Sequence, residues 1–210
     1  MDKANALAVS GSSVYVTGYV TNNAANVNTV TFGATSLPGL GTSSFNNDLF
    51  VAKLTDAGST ATCAWAQAAG GAGTDMASAI AASGSTVYVT GYITNDASNT
   101  NVVAFGSTSL PGVTVARGVD AFVAKLADAG SSSTWSWAVA GGGTSSDYAT
   151  SIAVSGTGVY IAGYYTNTSA NATAVVFSGT SLPGFSSAVG PDIFLAKYTD
   201  AGSSAGTAWP

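Results

Sequence analysis

The chain carries ten carboxylates, all of them Asp, and nine of these stand in three registers. Asp2, Asp75 and Asp147 form one set, Asp48, Asp120 and Asp192 a second, and Asp56, Asp128 and Asp200 a third. Carboxylates in register can do two kinds of chemistry. Paired, they move protons, as in glycoside hydrolysis. Gathered with carbonyls and amides, they hold Ca²⁺. Proton transfer is poorly supported here, because the chain has neither His nor Glu. Without His, no Ser-His-Asp or Cys-His arrangement can be built, and the inner shell of a catalytic Zn²⁺ loses its usual ligand. Paired-carboxylate work would need two Asp brought together by the fold. The chain is therefore read as not an enzyme. Ca²⁺ is not favoured either, since no D-x-D-x-D-G run occurs. An Asp that caps a turn by accepting backbone N–H bonds is the preferred reading, and no cofactor is expected.

The elements that position these residues are announced by a repeated sentence. Gly11-Ser12-Ser13-Val14-Tyr15-Val16-Thr17-Gly18-Tyr19 returns at Gly84–Tyr92 and again, as G-T-G-V-Y-I-A-G-Y, at Gly156–Tyr164. Leu37-Pro38-Gly39 returns at Leu110 and Leu182, and Asp48–Lys53 (D-L-F-V-A-K) at Asp120 and Asp192. Asp56-Ala57-Gly58-Ser59 returns at Asp128 and Asp200, and Trp65, Trp137 and Trp209 keep step, as do Phe32, Phe105 and Phe177. Such spacing marks an array of like modules that stack to bury their faces. The expected boundaries are 1–74, 75–146 and 147–210, with no separate domains.

Each module reads as β. Gly is frequent, strong helix formers are scarce, and short β-branched and aromatic runs alternate with turn residues. In the second module, strands are expected at 77–82, 86–93, 120–126 and 133–140. On the second strand Val87, Val89 and Gly91 share one face, and Tyr88, Thr90 and Tyr92 the other. The turn Asp128-Ala129-Gly130 suits a glycine with positive φ. A long Asn-rich insert spans 94–119, with one short extra strand expected at Val102–Phe105. Matching inserts span 21–47 and 166–191. Four antiparallel strands per module is the make-up of a propeller blade, so the expected fold is an all-β propeller of three blades per chain.

Taken together, Gly-Gly, Asp, A-x-x-I-A-V-S-G, G-x-V-Y-V-T-G-Y, D-x-F-V-A-K-L, D-A-G and W-A resemble the bacterial β-propeller repeat family of large secreted and cell-surface proteins. The resemblance covers essentially the whole chain and implies a propeller in an extracellular or cell-surface setting. It carries no catalytic residues and no uniform ligand.

Three blades leave two faces bare, whereas propellers close at about four to eight. A junction hiding on the order of 500 Å² of apolar surface contributes roughly 12 kcal/mol at about 25 cal/mol/Å². Two such junctions exceed the ~4–15 kcal/mol lost on association. The partner expected is therefore a second copy, giving a homodimeric ring of six blades; open-ended stacking into fibres is the failure mode.

Composition narrows the partners further. Charged residues make up 7%, with Lys+Arg 5 and a net charge of −5. Five scattered cations make no basic stripe, so nucleic acid and anionic membranes are not expected as partners. No apolar run approaches the ~18 residues of a membrane-spanning helix. Cys63 is the lone cysteine; its counterparts, Trp135 and Thr207, mark it as a packing residue rather than a reactive thiol. Met1-Asp2-Lys3 runs straight into the first module without a signal peptide, and after Trp209 nothing matches 138–144. These ends point to a fragment, an engineered chain or a mature product.

Strand order places the inserts and the links between modules on one rim. The candidate binding residues there are Asp2, Asp48, Asp75, Asp120, Asp147 and Asp192, with Tyr92 and Tyr164 beside them. Two functions follow as expectations. The first is a non-catalytic, self-assembling structural scaffold from an extracellular bacterial repeat protein. The alternative is a lectin or adhesion module that holds glycans on the insert-bearing face. Glycan binding lost on shortening the inserts would favour the second. Lys53, Lys125 and Lys197 are expected as structural partners of Asp, and the recurring Trp and Tyr as core.

Overall fold

The structure, a computed structural model, describes residues 1–21, 29–38, 46–94, 102–111, 118–167, 175–182 and 190–209. Every regular element among them is a strand. The first unit comprises β1 (Lys3–Ser10), β2 (Ser13–Thr21), β3 (Thr29–Phe32), β4 (Thr35–Pro38), β5 (Asn47–Asp56) and β6 (Ala61–Ala69). The second comprises β7 (Met76–Ser83), β8 (Thr86–Thr94), β9 (Val102–Phe105), β10 (Thr108–Pro111), β11 (Val119–Asp128) and β12 (Ser133–Gly142). The third comprises β13 (Asp147–Ser155), β14 (Gly158–Asn167), β15 (Val175–Phe177), β16 (Thr180–Leu182), β17 (Gly190–Asp200) and β18 (Ala205–Trp209). The expected strands of the second unit are present, each longer by one to three residues.

Each unit contributes an antiparallel four-stranded sheet: β1-β2-β5-β6, β7-β8-β11-β12 and β13-β14-β17-β18. The tight connections are two-residue turns such as Gly84-Ser85 between β7 and β8, and Asp-Ala-Gly-Ser turns before each last strand. Alternation decides the faces. Tyr15 and Thr17 of β2 are buried toward the second sheet, and Tyr88 of β8 toward the third. β7 packs against β1 and β2 on one side and β13 on the other, so the first strand of each sheet lies beside the next. Small side chains such as Ala6, Ala8 and Ala77 make this approach possible.

Gly91 carries a further constraint. A Cβ there would lie 2.0 Å from the carbonyl oxygen of Met76, where β7 bulges between Ala77 and Ala79. Gly18 and Gly163 face the same kind of bulge at 1.9 Å. A glycine is required wherever one backbone presses this closely on another.

The inserts differ from expectation. Val102–Phe105 is one arm of a hairpin, β9 with β10, and the other units carry the equivalent hairpins β3–β4 and β15–β16. The hairpins also reach the preceding unit. β15 pairs with β12 through Gly141↔Phe177 and Gly142↔Val176, which extends the middle sheet to six strands. Gly70 bridges Ala104 in the same register one unit earlier. The ends of β6 and β12 would otherwise present unpaired N–H and C=O groups there, and the next unit's hairpin pairs with them.

The apolar core lies between the sheets. One cluster, with Tyr15, Leu49, Val51, Phe105 and Phe122, fills the space between the first and second sheets. A second, with Tyr88, Ile161, Tyr165, Phe177 and Tyr198, fills that between the second and third. A smaller one, with Val20, Leu37 and Phe50, lies under the β3–β4 hairpin.

Candidate functional site

Asp128 ends β11 and reaches back to the sheet before it. Its Oδ2 accepts from Lys53 Nζ at 2.6 Å and from the Tyr15 hydroxyl at 2.7 Å. Its Oδ1 accepts from Trp65 Nε1 at 2.9 Å and from its own turn at Gly130 N, also 2.9 Å. Lys53 also donates to the Gly130 carbonyl at 3.2 Å. The second and third sheets repeat the knot. Asp200 accepts from Lys125 and the Tyr88 hydroxyl at 2.6 Å each, from Trp137 Nε1 at 3.1 Å and from Gly202 N at 2.9 Å.

Burial pushes both Asp carboxyls up. The Lys ammonium, then the Tyr and Trp donors, outweigh it; Asp128 is held below the ordinary range and Asp200 down to about 2. Burial, then the same contact, raises the Tyr15 hydroxyl to about 12 and pushes the Tyr88 hydroxyl up as well. An ionised Asp with four donors holds two sheets at one spacing and one register. Lys53 and Lys125 thus pair with Asp as expected, but with an Asp some 75 positions away. By sequence alone these Asp read as turn residues. The usable signal was that Tyr, Lys and Trp recur in step with the Asp-Ala-Gly turn.

The expected rim residues lie at the other end of the strands. Asp75 accepts from Gly71 N through Oδ2 at 2.8 Å and from Thr94 N through Oδ1 at 3.1 Å. Asp147 accepts from Gly143 N at 2.6 Å. Each carboxylate thereby pins the link that brings the chain from one unit into the next. Asp2 accepts from Thr21 N at 2.9 Å and is exposed.

Asp48 and Asp120 are fully buried and face the next unit's Asp. A Cβ on Gly142 would lie 2.1 Å from Asp120 Oδ1 and 3.0 Å from Asp147 Oδ2, so the two carboxyls converge on one glycine. A Cβ on Gly70 would likewise meet Asp48 Oδ1 at 2.1 Å. Burial, the largest cause, raises Asp75 to about 7, opposed by its two N–H bonds and reinforced by the charge of Asp48. Burial raises Asp147 to about 7 as well, against the Gly143 N–H and with the charge of Asp120.

The structure therefore brings four of the six rim carboxylates together, as the pairs Asp48–Asp75 and Asp120–Asp147. Among the described residues no group of three His, Cys, Asp or Glu could hold a metal ion. Asp192 is half-buried at the start of β17. Tyr92 stands edge-on to Tyr148 at 5.0 Å, and Tyr148 lies 5.0 Å from Tyr164, so the two expected Tyr belong to one aromatic row. The insert segments on either side of the hairpins, 22–28, 39–45, 95–101, 112–117, 168–174 and 183–189, are part of the expected glycan surface and lie outside the described residues.

The two outer sheet faces contrast with the covered ones. Ile193 is 83% exposed, whereas its counterparts Leu49 and Ala121 are at 0%. Leu195 is 49% exposed, against 0% for Val51 and Val123. With Tyr164, Leu182 and Phe194 these residues line an apolar trough of about 720 Å³ on the third sheet. On the far side of the first sheet Leu7 and Val9 are 65% and 60% exposed, while Ile80, the counterpart of Leu7, is at 8%. Exposed apolar patches of this kind mark interaction surfaces.

No protein-family model matches the chain, and no curated protein matches it.

Proposed function

We propose that the chain is a non-catalytic, self-assembling β-propeller scaffold from an extracellular bacterial repeat protein. Its three sheets are three blades, and a second copy supplies three more to close a ring of six. The observation that carries this reading is the pair of apolar faces at the two ends of the stack. Ile193 and Leu195 occupy positions that the next sheet covers in the first two units, and Leu7 and Val9 stand bare on the opposite end. A sheet with one such face requires a neighbour, and two copies cover all four faces by a two-fold arrangement.

The side-by-side packing of β1, β7 and β13 supports a radial stack, since the inner strands of propeller blades converge in this way. The absence of His and Glu from the sequence supports a role without acid–base chemistry. Native mass spectrometry tests the proposal. A species of twice the chain mass, persisting at micromolar concentration, is the expected result. A spectrum of single chains throughout would overturn it.

A further inference from the structure

We propose that Asp56 of one copy enters the end of the third sheet of a second copy, accepting from its Tyr160, Lys197 and Trp209. The contact rests on the assembly proposed above and assigns the residues that direct it. The two inter-sheet knots within the chain have a common form: Tyr, Lys and Trp of one sheet around the Asp of the next. Tyr160, Lys197 and Trp209 are the third donor set, and Asp56 is the third acceptor. The chain holds them at opposite ends of the stack.

The acceptor is already formed. Asp56 N donates to the Ser12 carbonyl at 2.8 Å, as Asp128 and Asp200 do to Ser85 and Thr157 at the same distance. Asp56 Oδ1 accepts from Gly58 N at 2.8 Å, against 2.9 Å in both internal turns. Ala57 N reaches the Thr60 carbonyl at 2.9 Å, matching Ala129 to Ser132. Yet Asp56 is exposed, and among the described residues no Tyr, Lys or Trp side chain bonds to it.

The donor side is preset too. Tyr160 and Trp209 have ring centres 6.2 Å apart at 56°, against 6.0 Å and 42° for Tyr15–Trp65 and 6.1 Å and 51° for Tyr88–Trp137. Lys197 Nζ sits 5.4 Å from the centre of the Tyr160 ring. Among the described residues the ion pairs are Lys53–Asp128 and Lys125–Asp200, so Lys197 forms none there. A cationic, aromatic donor set at one end and a carboxylate turn at the other are complementary in charge and shape. The exposed apolar residues of the two end faces flank them. A second copy of the chain is the occupant that carries both halves.

The test is sedimentation equilibrium of the whole chain, its D56N and K197M variants, and the double variant. Asn at 56 keeps the Gly58 N–H bond, so the lone chain is expected to fold as before, checked by circular dichroism at high dilution. A wild-type dimer whose dissociation constant rises about a hundredfold in each single variant supports the contact. So does a double variant little worse than either single, because the two groups act on each other. A wild-type dimer that D56N and K197M leave unchanged overturns this contact alone. A wild-type chain that stays single at every concentration overturns the assembly and the contact together.

Discussion

Two kinds of Asp divide the pH response of this protein. Asp75 and Asp147 have carboxyls raised to about 7 in the fold. A raised carboxyl contributes stability that is full below its unfolded value of about 4 and is lost as pH climbs through 7. Asp128 and Asp200 are held low, so their contribution is full above about 4 and disappears as pH falls toward 2. Stability is therefore expected to peak near pH 4–5. Urea unfolding should show a loss of about 3 kcal/mol for each of Asp75 and Asp147 between pH 4.5 and 8. The D75N variant should show a shallower slope over that window; an unchanged slope contradicts the assignment. At the knot, D200A leaves Lys125 buried and unpaired, and should cost about 3–5 kcal/mol in the same assay. That Lys would meet Asp was legible in their shared recurrence. Which Asp was not legible, because Lys125 and Asp200 meet only after two sheets stack.

The strands were the most legible elements. T-V-Y-V-T-G-Y-I alternates cleanly, and its two faces join different cores: Val87, Val89 and Ile93 that toward the first sheet, Tyr88 that toward the third. The bulges in β1, β7 and β13 were not legible, since a register shift depends on the partner strand. Gly91 is the position that tests them. G91A drives a Cβ into the Met76 carbonyl and should cost about 3 kcal/mol or more. Gly11 has φ +59° with open space around it, so G11A bears conformational strain alone, about 1 kcal/mol. Thermal unfolding of the two variants should show that order; equal losses contradict the close approach at Gly91. The insert hairpins were half legible. V-V-A-F in the second insert signalled a strand, but pairing to the previous unit's outer edge depends on a glycine, Gly70 or Gly142, set far away in sequence.

At the scale of the molecule the period of the sequence anticipated three stacked sheets. It also anticipated that the stack would end in uncovered apolar surface. Which side chains stand bare became visible only in the fold: Ile193 and Leu195 at one end, Leu7 and Val9 at the other. The charge pattern follows the same asymmetry, with the exposed carboxylate turn at Asp56 and the donor set at Lys197 on opposite ends. If copies join through these faces, folding and association are linked, and stability depends on protein concentration. Scanning calorimetry over a hundredfold dilution is the most direct test. The expected result is a melting temperature that climbs with concentration, alongside a mass of two chains. A sharp, cooperative transition at the same temperature throughout, from single compact chains, would contradict it.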